Sequence, residues 1–164
     1  MESYNEYPNF ESLIKQRPMA GARVFGSILY PEINGNVWFY QASSGVLVVA
    51  DIEGLPQGVK PCQNPIFAMH IHDGASCSGN SMDPFADAGT HYNPNNCPHP
   101  YHAGDLPPLF GVDGDAFLAV LTNRFMVDEI IGKTIIIHSS VDDFKTQPAG
   151  NSGIKIACGE IYRI

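Results

Sequence analysis

From Ala22 onward the chain is written in short apolar runs with a two-residue beat, at 22–30, 36–42, 46–52, 66–71, 116–121, 134–139 and 154–161. Residues 106–110 offer an eighth run, but Pro107 and Pro108 confine it to a sheet edge or an irregular start. Turn formers punctuate the series: Pro31, Asn34-Gly35, Gly45, Gly54-Leu55-Pro56, Asp113-Gly114 and Gly132. No helical stripe of useful length interrupts them, and no internal repeat is found. Seven or eight such strands predict one all-β domain, a sandwich or barrel, over 22–164. Residues 1–21 read as a polar N-terminal arm with one short helical turn near 11–16.

Two connections break the rhythm. Residues 73–105 are far longer than an ordinary loop and carry Gly74, Gly79, Pro84, Gly89, Pro94, Pro98, Pro100 and Gly104. Residues 139–153 are equally free of strand pattern. Structureless connections of the first length inside a compact domain are usually functional, or held by ligands and cross-links. Both end close to histidines.

Composition agrees with a turn-rich β fold: 16 Gly and 13 Pro in 164 residues, with 44% hydrophobic positions to fill a core. Acids outnumber Lys and Arg 17 to 9, a net charge of −8, which argues against nucleic acid and anionic membrane surfaces as partners. No stretch approaches the ~20 apolar residues of a membrane span. The N-terminus has no basic region followed by an apolar run, so a cytoplasmic address is favoured, with a periplasmic or secreted one left open by processing. Four cysteines, Cys62, Cys77, Cys97 and Cys158, permit three pairings, in tension with a cytoplasmic address.

The chemistry lies in six histidines. His70 and His72 are two apart at the end of a strand, so both side chains leave one face. A lone His-x-His is more often one packed ring and one turn cap. The second cluster changes the balance: His91, His99, His102 and Asp105 share one Pro/Gly-rich loop, and three imidazoles with a carboxylate suit tetrahedral zinc. His138 ends another strand, with Asp142 four residues beyond. If zinc takes the loop cluster, His70, His72 and His138 remain for a second ion. An imidazole of His91 shared between the two would complete four nitrogens, a set that favours tetragonal copper(II). Spacing points to a metal site; by itself it neither proves two ions nor names copper.

The segments His70-Ile-His72, Gly89-Thr-His91-Tyr-Asn-Pro94, His102-Ala-Gly-Asp105-Leu106, Ile131 through His138, Asp142-Asp143, Gly150-Asn-Ser-Gly153 and Ala157-Cys158-Gly159 resemble, in order, the motifs of the copper/zinc superoxide dismutase family. The resemblance implies an eight-stranded antiparallel Greek-key β-barrel with two long active-site loops, of the bacterial type with a short second loop. It implies copper on His70, His72, His91 and His138, zinc on His91, His99, His102 and Asp105, and Asp142 as the carboxylate linking His70 to His99. Cys77 and Cys158 resemble the family's disulfide. Cys62 and Cys97 have no counterpart, and a second disulfide between them is a hypothesis that the sequence leaves open.

The implied reaction is dismutation of superoxide by copper cycling between Cu(II) and Cu(I): one superoxide leaves as dioxygen, another takes two protons and leaves as hydrogen peroxide. His91 is implied to carry a proton as it releases copper on reduction, and zinc to act structurally and electrostatically. One departure is Lys155, where the family has an arginine beside copper; it keeps the charge without the planar fork. The other is the 142–153 connection, which looks shorter than in animal relatives and implies a more open copper with weaker steering. A copper-binding or copper-delivery module on the same barrel is the competing function, and a metal-stabilised structural barrel a third. Oligomeric state, homodimer or monomer, is not legible.

Overall fold

The computed structural model describes residues 10–58, 62 and 65–164. Helix α1 (Phe10–Ile14) is followed by strands β1 (Ala20–Gly26), β2 (Asn34–Ala42), β3 (Gly45–Glu53), β4 (Ile66–Phe67), β5 (Met69–His72), β6 (Leu109–Phe110) and β7 (Ala116–Thr122). A short helix α2 (Val127–Ile130) and strands β8 (Thr134–His138) and β9 (Lys155–Arg163) complete the chain. Among the described residues no helix is long and apolar enough to cross a membrane.

Seven strands form one curled antiparallel sheet in the order β5-β8-β9-β1-β2-β3-β7, and β4 pairs with β6. β4 and β5 are one strand interrupted at Ala68, whose amide donates to Ser140 O while its carbonyl accepts from His138 N. Counted so, the strands number the expected eight, and the interrupted one joins the two layers. After crossing to the far layer in β4–β6, the chain returns in β7 to pair with β3, a Greek-key connection.

The strands differ from the sequence pattern mainly at their ends. β1 begins at Ala20, two residues inside the segment read as the arm, because Met19 N already donates to Phe39 O. It stops at Gly26, where Tyr30 N turns back to Ser27 O, so the apolar run to residue 30 finishes as a turn. α2 was not foreseen: four residues are too few for a helical stripe, and its start is held by Met126 N donating to the Glu129 carboxylate at 2.6 Å.

Inside the barrel, Val24, Val37, Phe39, Val48, Ile52, Ile71, Ile135, Ile137 and Ile156 are fully buried. Each large aliphatic side chain removed from water contributes roughly 1.5–3 kcal/mol. β8 is buried on both faces. Its inward residues, Ile135 and Ile137, join this core, while Ile136 on the outer face joins Phe85, Ala88 and Cys158 beneath the long loop.

That loop also covers β5, the end strand of the sheet order. Ile71 N donates to Gly104 O, Tyr92 N donates to Ile71 O, and His70–Asp105 and His72–His91 form isolated antiparallel bridges. The loop therefore adds itself to the sheet along β5 and brings its own histidines to those of the strand.

Candidate metal centre

Strand alternation puts His70 and His72 on the outer face of β5, opposite Ile136 and Thr134 of β8, while Met69 and Ile71 point into the core. His138 leaves the same outer face at the end of β8. The bridges along β5 deliver His91, His102 and Asp105, and the loop after β8 carries Asp142 in behind them. All six histidines and both carboxylates are buried.

Hydrogen bonds fix the tautomers. A carboxylate or carbonyl oxygen only accepts, so the facing ring nitrogen must carry the proton and the other ring nitrogen must present a lone pair. His70 Nε2 donates to Asp142 Oδ2 at 2.8 Å, and His99 Nε2 to Asp142 Oδ1 at 2.8 Å. His72 Nδ1 donates to Gly89 O at 2.9 Å, and His138 Nδ1 faces Gly153 O at 3.4 Å. Lone pairs are left on His70 Nδ1, His99 Nδ1, His72 Nε2 and His138 Nε2.

These lone pairs converge in two places. His70, His72, His91 and His138 each bring one ligand atom within 4.8 Å of the others, and so do His91, His99, His102 and Asp105. His91 belongs to both groups: Nδ1 lies 2.7 Å from Asp105 Oδ1 and 3.3 Å from His102 Nδ1, while its Nε2 points to the other side. Among the described residues, His70 Nδ1, His91 Nε2 and His99 Nδ1 are buried with no hydrogen-bond partner. His99 Nδ1 is 3.1 Å from Asp105 Oδ2 without the alignment of a hydrogen bond. His72 Nε2 and His138 Nε2, two lone pairs, face each other at 3.3 Å. Unpaired buried acceptors and opposed lone pairs are costly alone and favourable around a cation, so both groups fit metal ions.

The electrostatics point the same way. Burial, then the neighbouring His70, depresses His138 to about 3, with His91 and Lys155 adding to the effect. Burial also lowers His70, His102 and, more strongly, His72, so these rings stay neutral, as a metal ligand must. Burial alone would raise Asp105 and Asp142. Hydrogen bonds from His91 to Asp105, and from His70, Phe144 N and His99 to Asp142, outweigh it and hold both carboxyls below their usual range.

A cavity of about 1130 Å³ opens over His72, His91, His102 and His138. Donor set, shared imidazole and open approach together select a two-metal centre reachable by a small molecule. The model of the family described as copper/zinc superoxide dismutase matches residues 33–161. The chain belongs to the copper/zinc superoxide dismutase family. It is 32% identical over 152 residues to the Cu-Zn superoxide dismutase of Deinococcus radiodurans, covering 81% of this chain and 79% of that one. It is also 32% identical over 145 residues to Cu-Zn superoxide dismutase 2 of Aquifex aeolicus, covering 79% and 80%. The solved Cu/Zn superoxide dismutase of Brucella abortus superposes with a TM-score of 0.72 at 25% identity, covering 86% of this chain and 98% of that one.

The cofactors of a copper/zinc superoxide dismutase are copper and zinc, and this chain has two donor groups to receive them. The disulfide Cys77–Cys158 is formed, tying the long loop to β9 across 81 residues. The Cys62–Cys97 pairing that the sequence left open is not: Cys62 is an exposed thiol and Cys97 a half-buried one. Asn93 holds the Cys97 backbone at both its amide and its carbonyl, fixing the Cys97 segment beside the histidine cluster.

Lys155 lies at the start of β9 in register with His138 and lines the cavity. Its ammonium is not free: Nζ donates to Asp83 Oδ2 at 2.7 Å and to Phe85 O at 3.0 Å. Sequence reasoning missed Asp83, as it missed three supports of the loop ligands. Gln147 bonds both the amide and the carbonyl of His99, at 3.0 and 2.7 Å. Arg124 Nη1 donates to the carbonyls of Pro100, His102 and Asp105 at 2.9–3.2 Å. Gly150 leaves room for Asp142. None of these carries a spacing signal, because each acts on backbone or by having no side chain.

Proposed function

We propose that this protein dismutates superoxide to dioxygen and hydrogen peroxide, with copper held by His70, His72, His91 and His138 and zinc by His91, His99, His102 and Asp105. The observation that carries the reading is the His91 ring, whose Nδ1 faces one donor group while its buried, unpartnered Nε2 faces the other. When bound, copper supplies the one-electron cycle between Cu(II) and Cu(I), and zinc supplies fixed positive charge.

The chain's own residues do the rest. Asp142 orients the rings of His70 and His99 together, and the carbonyls of Gly89 and Gly153 orient those of His72 and His138. With Nδ1 committed toward Asp105 and His102, Nε2 is where His91 takes up a proton and passes it toward the peroxide product. Lys155 places a positive group in the wall of the approach. All four nitrogens of the copper group are present, which favours turnover over the carrier reading.

Loading the protein with both metals and measuring superoxide decay tests this. One copper and one zinc per chain with rapid, cyanide-sensitive decay is expected, and His91→Ala should abolish it. Tight copper binding without turnover would overturn the enzyme in favour of a delivery module.

A further inference from the structure

Among the described residues that line the cavity, Lys155 is the only Lys or Arg, while the acids are Asp73 and Asp83. Asp73 is paired with Lys133 at 2.5 Å. Asp83 is paired with Lys155 itself, whose side chain is only 14% exposed. An anion entering this cavity therefore meets an ion pair in place of a lone cation.

The pair is built, not a chance meeting of surface side chains. Asn80 Oδ1 accepts from the amides of Met82 and Asp83, and Asp83 Oδ1 accepts from Phe85 N at 3.0 Å. Phe85 is buried against Ile136 and Cys158 and stands edge-on to Phe25 at 6.1 Å. The acid is thus anchored to the disulfide end of the sheet and its second oxygen is aimed at Nζ.

Resting on the copper reading above, we infer that Asp83 sets the affinity of the centre for anions, by cancelling in the cavity the field of Lys155. Superposition of the two charges makes three statements: removing the acid strengthens anion binding, removing the lysine weakens it, and removing both returns it near the starting value. A purely structural role for Asp83 requires none of these.

The probe is azide, a small anion whose binding to Cu(II) is read from the absorption change of the copper- and zinc-loaded protein. Asp83→Asn keeps one oxygen to accept from Phe85 N and turns its NH₂ toward Nζ, which retains its bond to Phe85 O, so it removes the charge with little loss of shape. Asp83→Ser provides a second route should the first fold poorly, and the melting temperature of each metal-free variant checks folding. At low ionic strength Asp83→Asn is expected to tighten azide binding about 3- to 10-fold and Lys155→Met to weaken it similarly, both differences shrinking as salt brings the screening length to a few Å. The double variant is expected to lie within about 2-fold of wild type. Folded Asp83 variants with unchanged azide affinity, or a double variant as weak as Lys155→Met alone, overturn the role of Asp83. A wild-type protein that binds copper but gives no azide response overturns the anion-accessible copper reading itself, and this inference with it.

Discussion

Asp142 grips His70 with one carboxylate oxygen and His99 with the other, each at 2.8 Å, so a single side chain sets the orientation of one ring in each metal group. Asp142→Asn replaces one accepting oxygen by an NH₂ and forces one ring to turn or change tautomer. Affinity for both metals is expected to fall roughly 10- to 100-fold, measured by competition with a chelator. Loss confined to one metal would refute the shared support.

Gly150 sits at φ +67°, and a Cβ there would run into the Asp142 carboxylate and lie 2.7 Å from His99 Nε2. Gly150→Ala is therefore expected to act as a weaker Asp142 variant. It should cost about 1 kcal/mol in backbone strain, seen in urea melts of the metal-free protein, and lower zinc affinity beyond that. Unchanged zinc affinity would mean that the loop yields without moving the carboxylate.

The candidate ligands were legible because imidazole is scarce in this chain and each one sits at a strand end or in an overlong loop. His70 and His72 announced a shared face by their spacing, and the strand pattern located the barrel. The partners of those rings were not legible: Gly89 O and Gly153 O are backbone atoms, and nothing in the sequence says which carbonyl a ring will meet. Lys155 was found by its position, but its charge balance was not, since Asp83 is distant in sequence and meets it only through the turn that Asn80 and Phe85 stabilise. Whether Cys62 and Cys97 pair was not legible either, since an even count of cysteines does not say which come together, and the fold leaves these two as thiols.

Cys77–Cys158 closes 81 residues of chain. Cys77→Ser is expected to remove about 4 kcal/mol from the metal-free protein in the chain-entropy account, read as a lower urea midpoint. Because Phe85 and Ala88 pack on Cys158, the same variant should loosen the turn that holds Asp83 and raise amide exchange there. A midpoint equal to wild type would place the loop's stability in its hydrogen bonds alone.

Acid should unfold the metal-free protein early. Burial keeps His138 neutral down to about 3 and lowers His70, His72 and His102 as well, so below pH ~6.5 the unfolded chain takes up protons that the folded one refuses. Stability is then full above the unfolded imidazole pKa and declines as pH falls. His138 alone accounts for about 2 kcal/mol by pH 5. Asp105 and Asp142, held low when folded, extend the loss below the usual carboxylate range. Melting temperature against pH checks this; a flat profile from pH 7 to 5 would contradict the buried, neutral rings.

The loop that pairs along β5 does more than carry ligands. β5 ends the sheet order, and its outward backbone groups at Ile71 are satisfied by Gly104 and Tyr92 of that loop. The loop thus caps hydrogen-bonding groups that an end strand would otherwise offer to another chain, so the segment that brings the histidines together also shields the sheet from edge-to-edge pairing.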